Sequence, residues 1–413
     1  MIPADEARRT AERSARESYG RLVAFLAARS GDVAGAEDAL AEAFAAALEA
    51  WTRDGPPANP DAWLLTVARR RQADAARKAA TGRAGEGRLA LMAQDLEAAA
   101  MAPDEIPDRR LALMFACAHP AIEPALRAPL ILQTLLGLTA VDIGQAFLVP
   151  PATMGQRLVR AKARIKASGA PLVVPQADEL PNRVEAVLEA VYAAYAKSWN
   201  DSGEVEPTDL TGEAIWLGRL VVSLLPHEPE AKGMLALMLY AEARRPARRG
   251  GAGDYVPLEE QATALWDRGL LGAAEALLHR ANSAGPSGRY QIEAAIQSAH
   301  VARRLTGTPG WDTIVALYDH LAAIAPSPVV RLNRAVALAR AEGPAAALSE
   351  IEALADDRRM ADYQPYWAAR GRICAELGRR TEAYEALTLA VGLSSDPAVR
   401  RWLQRELEGL RSG

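Results

Sequence analysis

The stretch TAVDIGQAFLVPPATMGQRLVRAKARIK, Thr139 to Lys166, holds the pattern on which the fold turns. Thr139 has the chemistry of an N-cap, and Asp142 stands three residues on, where a capping box places its acid. Ile143, Ala146 and Phe147 are expected to face inward from the short helix after it. Val149-Pro150-Pro151 reads as a tight turn, with Pro151 in the first turn of the next helix, where its missing N–H costs nothing. Met154, Leu158, Ala161 and Ile165 recur at helical spacing and predict a buried stripe. The opposite, polar face carries Thr153, Gln156, Arg157, Arg160, Lys162 and Arg164. Two helices joined by a tight turn, the second one basic, have the form of a helix-turn-helix that docks in a major groove. Arg157, Arg160, Lys162, Arg164 and Lys166, with no acid among them, are suited to displacing counterions from phosphates. Thr153, Gln156 and Arg157, near the helix start, are best placed to reach base edges. An ordinary solvated amphipathic helix is the other reading of the same charges.

Working outward, residues 14–79 read as a helical unit. Tyr19, Leu22, Val23, Phe25 and Leu26 share one face, and Gly31-Asp32 ends one helix and starts the next. AGAEDALAEAFAAALEAW runs to Trp51 with helical apolar spacing. Gly55, Pro56, Pro57 and Pro60 then impose a loop. A further helix opens near Asp61, a candidate N-cap region, and carries a second basic patch: Arg69, Arg70, Arg71, Arg77 and Lys78, with Arg83 and Arg88 beyond and only Asp74 and Glu86 opposing. Trp51 and Trp63 stand close by. Aromatic rings beside guanidinium groups suit single-stranded DNA, because bases stack on rings while cations hold phosphate. For each tryptophan taken alone, a core anchor is the favoured reading.

The composition narrows the class. Half of the 413 residues are apolar, enough for a sizeable core, and Ala, Leu, Glu and Arg are a helix-building alphabet. Period-two alternation is nearly absent, so the expected fold is all-α. The net charge of -4 places any nucleic-acid contact in local patches rather than in the chain as a whole. Two distant cysteines, Cys117 and Cys374, offer no disulfide framework, which fits a reduced, cytoplasmic chain. The polar N-terminal stretch does not read as a signal peptide, and no apolar run reaches the roughly 18 residues of a membrane span.

Two linkers are expected, 81–107 and 169–182, setting off helical domains at 1–80 and 108–168. Beyond them, 183–285 reads as a helical extension and 286–413 as helix pairs. Gly343 and Gly378 lie 35 residues apart, close to the tetratricopeptide period of about 34. Ala383, Tyr384, Ala390 and Pro397 follow the order of packing positions in such a repeat. Enzyme chemistry has little support. The five histidines are scattered, and neither an HExxH motif nor a nucleotide loop occurs. Cys117 and His119 in CAHP are read as core packing with a capping histidine rather than a metal pair. No catalytic residue, metal site or cofactor is expected.

AEDALAEAF, the proline-rich loop and PDAWLLTVARRRQADAARK together resemble conserved region 2 of RNA polymerase sigma factors of the extracytoplasmic-function (ECF) type. ALRAPLILQTLLGLTAVDIGQAFLVPPATMGQRLVRAKARI resembles their region 4. ALMFACAHPAI, LLPHEPEAKGMLALMLYAEAR, RYQIEAAIQSAH and SPVVRLNRAVALA resemble the C-terminal half of an ECF group with a tetratricopeptide-like extension. The resemblance implies binding to core RNA polymerase through Glu37, Asp38 and Glu42. It implies a loop over 52–60, including Asn59, that holds a base flipped from the minus-10 element. Trp63, Arg69, Arg70, Arg71, Arg77 and Lys78 would hold the opened strand, and residues 151–164 would read the minus-35 element of promoter DNA. The extension would supply regulation, through a partner or an intramolecular contact, with no membrane involved. The chain departs from the pattern at Ala41-Glu42, at YAAYAKSWND and at Gln261-Ala262-Thr263. Two other classes fit the residues: an operator-binding regulator with a helical sensor domain, and a tetratricopeptide-type adaptor that binds no DNA.

Overall fold

Ala- and Leu-rich segments fold as helices wherever proline and glycine do not interrupt them. The computed structural model describes residues 2–80, 109–169, 173, 175, 179–200, 210–251, 253–283 and 287–412. Among these the fold is all-α, as expected, with no strand beyond one isolated bridge between Arg249 and Tyr255. Contacts divide the chain into two compact units, Met1–Ala194 and Tyr195–Gly413. No helix among the described residues is long and apolar enough to cross a membrane.

The N-terminal unit opens with α1 (Ile2–Glu17), α2 (Tyr19–Ser30), α3 (Val33–Asp54) and α4 (Pro60–Ala80). Gly31 ends α2 in the left-handed region, and the Asp32 side chain caps α3 by accepting from the Gly35 N–H, so the Gly31-Asp32 reading holds. After residues 81–108, which carry the expected linker and lie outside the described residues, come α5 (Arg110–Cys117) and α6 (Pro124–Leu136). They are followed by α7 (Ala140–Ala146), α8 (Pro151–Ser168) and α9 (Pro181–Asn200), the last straddling the boundary of the units. The sequences expected to form separate domains at 1–80 and 108–168 share one core here. α2 packs on both α5 and α6, and α3 packs on α8. Leu22, Leu26, Leu40, Trp51, Leu64, Leu113, Phe115 and Leu130 are fully buried in it. The α2–α6 crossing is so close that a Cβ on Gly20 would lie 2.0 Å from the Leu135 carbonyl oxygen, so only glycine fits.

The C-terminal unit continues with α10 (Leu210–Leu224), α11 (Pro229–Ala243), α12 (Arg268–Asn282), α13 (Arg289–Thr306) and α14 (Trp311–Ile324). It ends with α15 (Pro328–Ala341), α16 (Pro344–Glu352), α17 (Arg358–Ala361), α18 (Gln364–Glu376), α19 (Arg380–Leu393) and α20 (Pro397–Ser412). α11 packs against α12 and α13, and Glu230 near its start accepts from the N–H groups of Tyr290 and Gln291 at 2.9 and 3.0 Å, closing the N-terminus of α13. Gly343 and Gly378 turn the chain between α15 and α16 and between α18 and α19, each with positive φ. Between those pairs Leu332, Ile351, Tyr366, Ile373 and Ala383 form one buried cluster.

Candidate nucleic-acid interface

Thr139 caps α7 as its residue type predicts. Its hydroxyl accepts from the Asp142 N–H at 3.2 Å, and the Asp142 carboxylate accepts from the Thr139 N–H at 3.0 Å, a closed capping box. The chain then reverses through Phe147, Leu148, Val149 and Pro150. Leu148 takes φ 53, the one non-glycine positive φ among the described residues. Val149 donates to the Gly144 carbonyl at 2.8 Å, and a Cβ on Gly144 would stand 2.6 Å from the Val149 oxygen. The turn therefore requires glycine at 144, a residue the helical pattern alone leaves unmarked. Of the three residues expected to face inward, only Ile143 is buried. Phe147 is half-buried and Ala146 exposed, because α7 stops at Ala146 and the left-handed turn rotates the chain away from the core.

Pro151 opens α8, and Met154, Leu158, Ala161 and Ile165 are its buried residues, as predicted. Thr153, Gln156, Arg157, Arg160 and Arg164 all lie on its open side. No carboxylate lies within ion-pair distance of Arg157, Arg160 or Arg164 among the described residues. Lys162 does not join this face. It lies four residues after Leu158 and three before Ile165, so it flanks the buried stripe. Its ammonium contacts the Glu37 carboxylate of α3 at 2.5 Å, and the two side chains are only 16% and 12% exposed. Lys166 pairs with Asp32 at 2.5 Å. Burial pushes the Glu37 carboxyl up against the opposing pull of Lys162, and its Oε1 is buried without a hydrogen-bond partner.

The expected second patch is less free. Asn59 lies in the loop before α4, and its side chain accepts from the Ala62 N–H at 3.1 Å, so Asn59 is the cap there and not Asp61. Asp61 instead ties α4 to α2, accepting from Ser18 at 2.5 Å and Arg21 at 2.8 Å. Trp51 is buried, and Trp63 is half-buried with its ring edge-on to it at 5.4 Å, which is core packing. Arg69 lies over the Phe25 ring at 4.8 Å. Arg71 reaches Glu42 at 3.3 Å, and Arg77 pairs with Asp74. Arg70 and Asp38 point to solvent. The Lys78 side chain, Arg83 and Arg88 lie outside the described residues.

The Cys117-His119 pair has an internal account. Cys117 is buried with its sulfur 3.4 Å from the Thr134 hydroxyl, and burial pushes its thiol up to about 12, so it stays protonated. His119 Nδ1 accepts from the Ala121 N–H at 3.1 Å, a local cap.

Comparison with known proteins adds four findings. Residues 15–81, which hold α2 to α4, match the family described as Sigma-70 region 2, and residues 183–282 match a family of unknown function, DUF6596. An uncharacterized protein of Rhizobium meliloti (strain 1021) is 36% identical over 382 residues, covering 91% of this chain and 90% of its own length. No solved structure matches. Likeness of that degree over nearly the whole of both chains means that this chain belongs to the same family as the Rhizobium meliloti protein, with a Sigma-70 region 2 at its N-terminal end.

Proposed function

We propose that the chain is a sigma factor of the ECF type that binds core RNA polymerase, directs it to promoters with minus-35 and minus-10 elements, and begins promoter melting. The observation that carries this reading is the row Thr153, Gln156, Arg157, Arg160 and Arg164 on the open side of α8, in the same compact unit as the Sigma-70 region 2 match. Available guanidinium groups on the second helix of a helix-turn-helix are what phosphate contact and base readout require. Arg70 on α4 is an exposed cation for the opened strand, and Asp38 and Glu42 on α3, the latter shared with Arg71, are exposed acids for the polymerase. Lys162 and Glu37 hold each other, so neither reaches a partner unless α3 and α8 separate. The chain carries no catalytic chemistry of its own in this reading and works in the cytoplasm, where the polymerase is. The paired helices around Gly343 and Gly378 support a tetratricopeptide-like extension that modulates activity.

Run-off transcription on genomic fragments with purified core polymerase tests the reading. Transcripts that start only when chain and core are both present are expected. Tight binding of duplex DNA by the chain alone, on a palindrome, would indicate an operator-binding regulator. Absence of any salt-dependent DNA binding, with or without core, would indicate an adaptor.

A further inference from the structure

α8 presents three parallel rows of residues. The buried row is Met154, Leu158, Ala161 and Ile165. Thr153, Arg157, Arg160 and Arg164 each stand one residue before a member of it, about 100° round a helix of 3.6 residues per turn. The arginines therefore lie on a flank of α8. Ala152, Gln156, Val159 and Ala163 each stand two residues before the buried row, about 200° round, and so nearly opposite the core. All four are exposed, and they form the outermost line of the helix.

A helix entering a major groove turns its outermost line to the base edges and its flanks to the backbones. On that geometry the arginines meet phosphate and the outer row meets bases. Phosphate contacts position a protein, whereas base contacts specify sequence. The residues of the outer row suit that task. Ala152 and Ala163 are small enough to let the helix approach closely, and Gln156 carries an amide of the kind that pairs with adenine. Val159 is 69% exposed, the highest value among the large hydrophobic side chains described. A single exposed apolar residue is ordinary on a protein surface. Val159 differs by its place, about one turn beyond Gln156 on a helix whose flanking guanidinium groups suit a polyanion. Among the four bases, only thymine offers a methyl group to the major groove.

We propose that Val159 reads the 5-methyl group of a thymine in the minus-35 element by packing its own methyls against it. Arg157, Arg160 and Arg164 hold phosphates along one edge of the groove and do not read sequence. Val159 is then a specificity-determining residue, and burial of the paired methyls is what thymine gains over uracil at that position. The inference rests on the reading of the chain as a sigma factor.

The test uses the full chain with core polymerase and duplexes whose minus-35 element has been selected from a randomised segment. Each thymine of that element, on either strand, is replaced in turn by uracil, which removes the methyl and keeps the hydrogen-bonding groups. At one position the replacement is expected to weaken promoter binding by the parent about fourfold, the worth of one buried methyl group. Val159→Ala is expected to bind the thymine and uracil duplexes equally. Arg160→Ala is expected to weaken both by the same factor and to keep the fourfold ratio between them. Melting shows whether each variant is folded, and the uracil series on the parent decides if one is not. An element without thymine, binding indifferent to every uracil, a ratio that survives Val159→Ala or a ratio abolished by Arg160→Ala would each overturn the inference and leave the sigma-factor reading standing. Failure of chain and core together to retain any duplex would overturn both.

Discussion

α8 and α20 are both basic amphipathic helices, and they use their charge in opposite ways. On α8, Arg157, Arg160 and Arg164 project toward solvent with no carboxylate in ion-pair reach among the described residues. On α20, Arg401 and Arg405 lie 3.4 and 3.6 Å from Asp254, Arg400 donates to the Ser394 carbonyl, and Arg411 donates to the Tyr384 hydroxyl while covering its ring. One helix holds its cations available, whereas the other consumes them in fastening the unit together. A run of positive charge in a sequence therefore says little about nucleic acid until the partners of each cation are known. The same distinction cuts through α8 itself, where Lys162 is fastened to Glu37 two residues beyond the exposed Arg160.

The largest expected effect separates Lys162 from its neighbours. Lys162→Ala leaves Glu37 buried and unpaired, so thermal or denaturant unfolding should show a loss of about 3–5 kcal/mol. The double change Glu37→Met with Lys162→Met should recover most of it. If Lys162→Ala melts like the parent, the buried ion pair is not part of the stable fold. Next comes the simultaneous change of Arg157, Arg160 and Arg164 to alanine. Fold and core binding should persist while promoter affinity of the polymerase complex drops about 100-fold, with a salt dependence shallower by about one unit for each phosphate no longer neutralised. Unaltered salt dependence would remove α8 from the DNA interface.

A smaller effect concerns the interior arginines of the C-terminal unit. His300 lies edge-on to Trp311 at 5.6 Å, and burial, with Arg244 and Arg303 near, pushes it down to about 4. The unfolded chain takes up this proton first, so stability present above the usual histidine value of about 6.5 is lost as pH falls toward the folded value. The loss is on the order of 2 kcal/mol once the ring's partial exposure is allowed for. His300→Phe should flatten the melting curve against pH over that window, and an unchanged slope would mean that other groups set it. The smallest effect is expected from Arg401→Ala with Arg405→Ala. These half-exposed pairs should cost under about 1 kcal/mol and leave promoter affinity untouched. Lost promoter affinity there would collapse the contrast between the two helices.

Most of the helical pattern is legible in the sequence. The capping box at Thr139 and Asp142, the stripe Met154-Leu158-Ala161-Ile165 and the Gly31-Asp32 junction are local features, and local chemistry decides them. The departures come from contacts distant in sequence. Periodicity puts Lys162 on the polar face because it shows the position of a residue around its own helix but not what α3 brings to that side. Asp61 has the residue type and the preceding proline of a cap, yet Ser18 and Arg21 claim its carboxylate and Asn59 takes the capping role. The apolar spacing turns Ala146 and Phe147 inward, but the left-handed Leu148 redirects the chain, and leucine gives no warning of positive φ. A cavity in the C-terminal unit joins residues from 248 to 402, and no window of sequence displays that.

Gly20 bears on how genetic data for this family would be interpreted. Any side chain at position 20 collides with the Leu135 carbonyl, so every substitution forces α2 and α6 apart. A screen for inactive alleles would recover Gly20 as readily as Arg157, and within the Sigma-70 region 2 segment it would pass for a point of contact with polymerase. It marks instead a seam between two helices. The two kinds of allele part on heating: a Gly20 protein should melt early in isolation, whereas an Arg157 protein should melt like the parent and fail only when DNA is added.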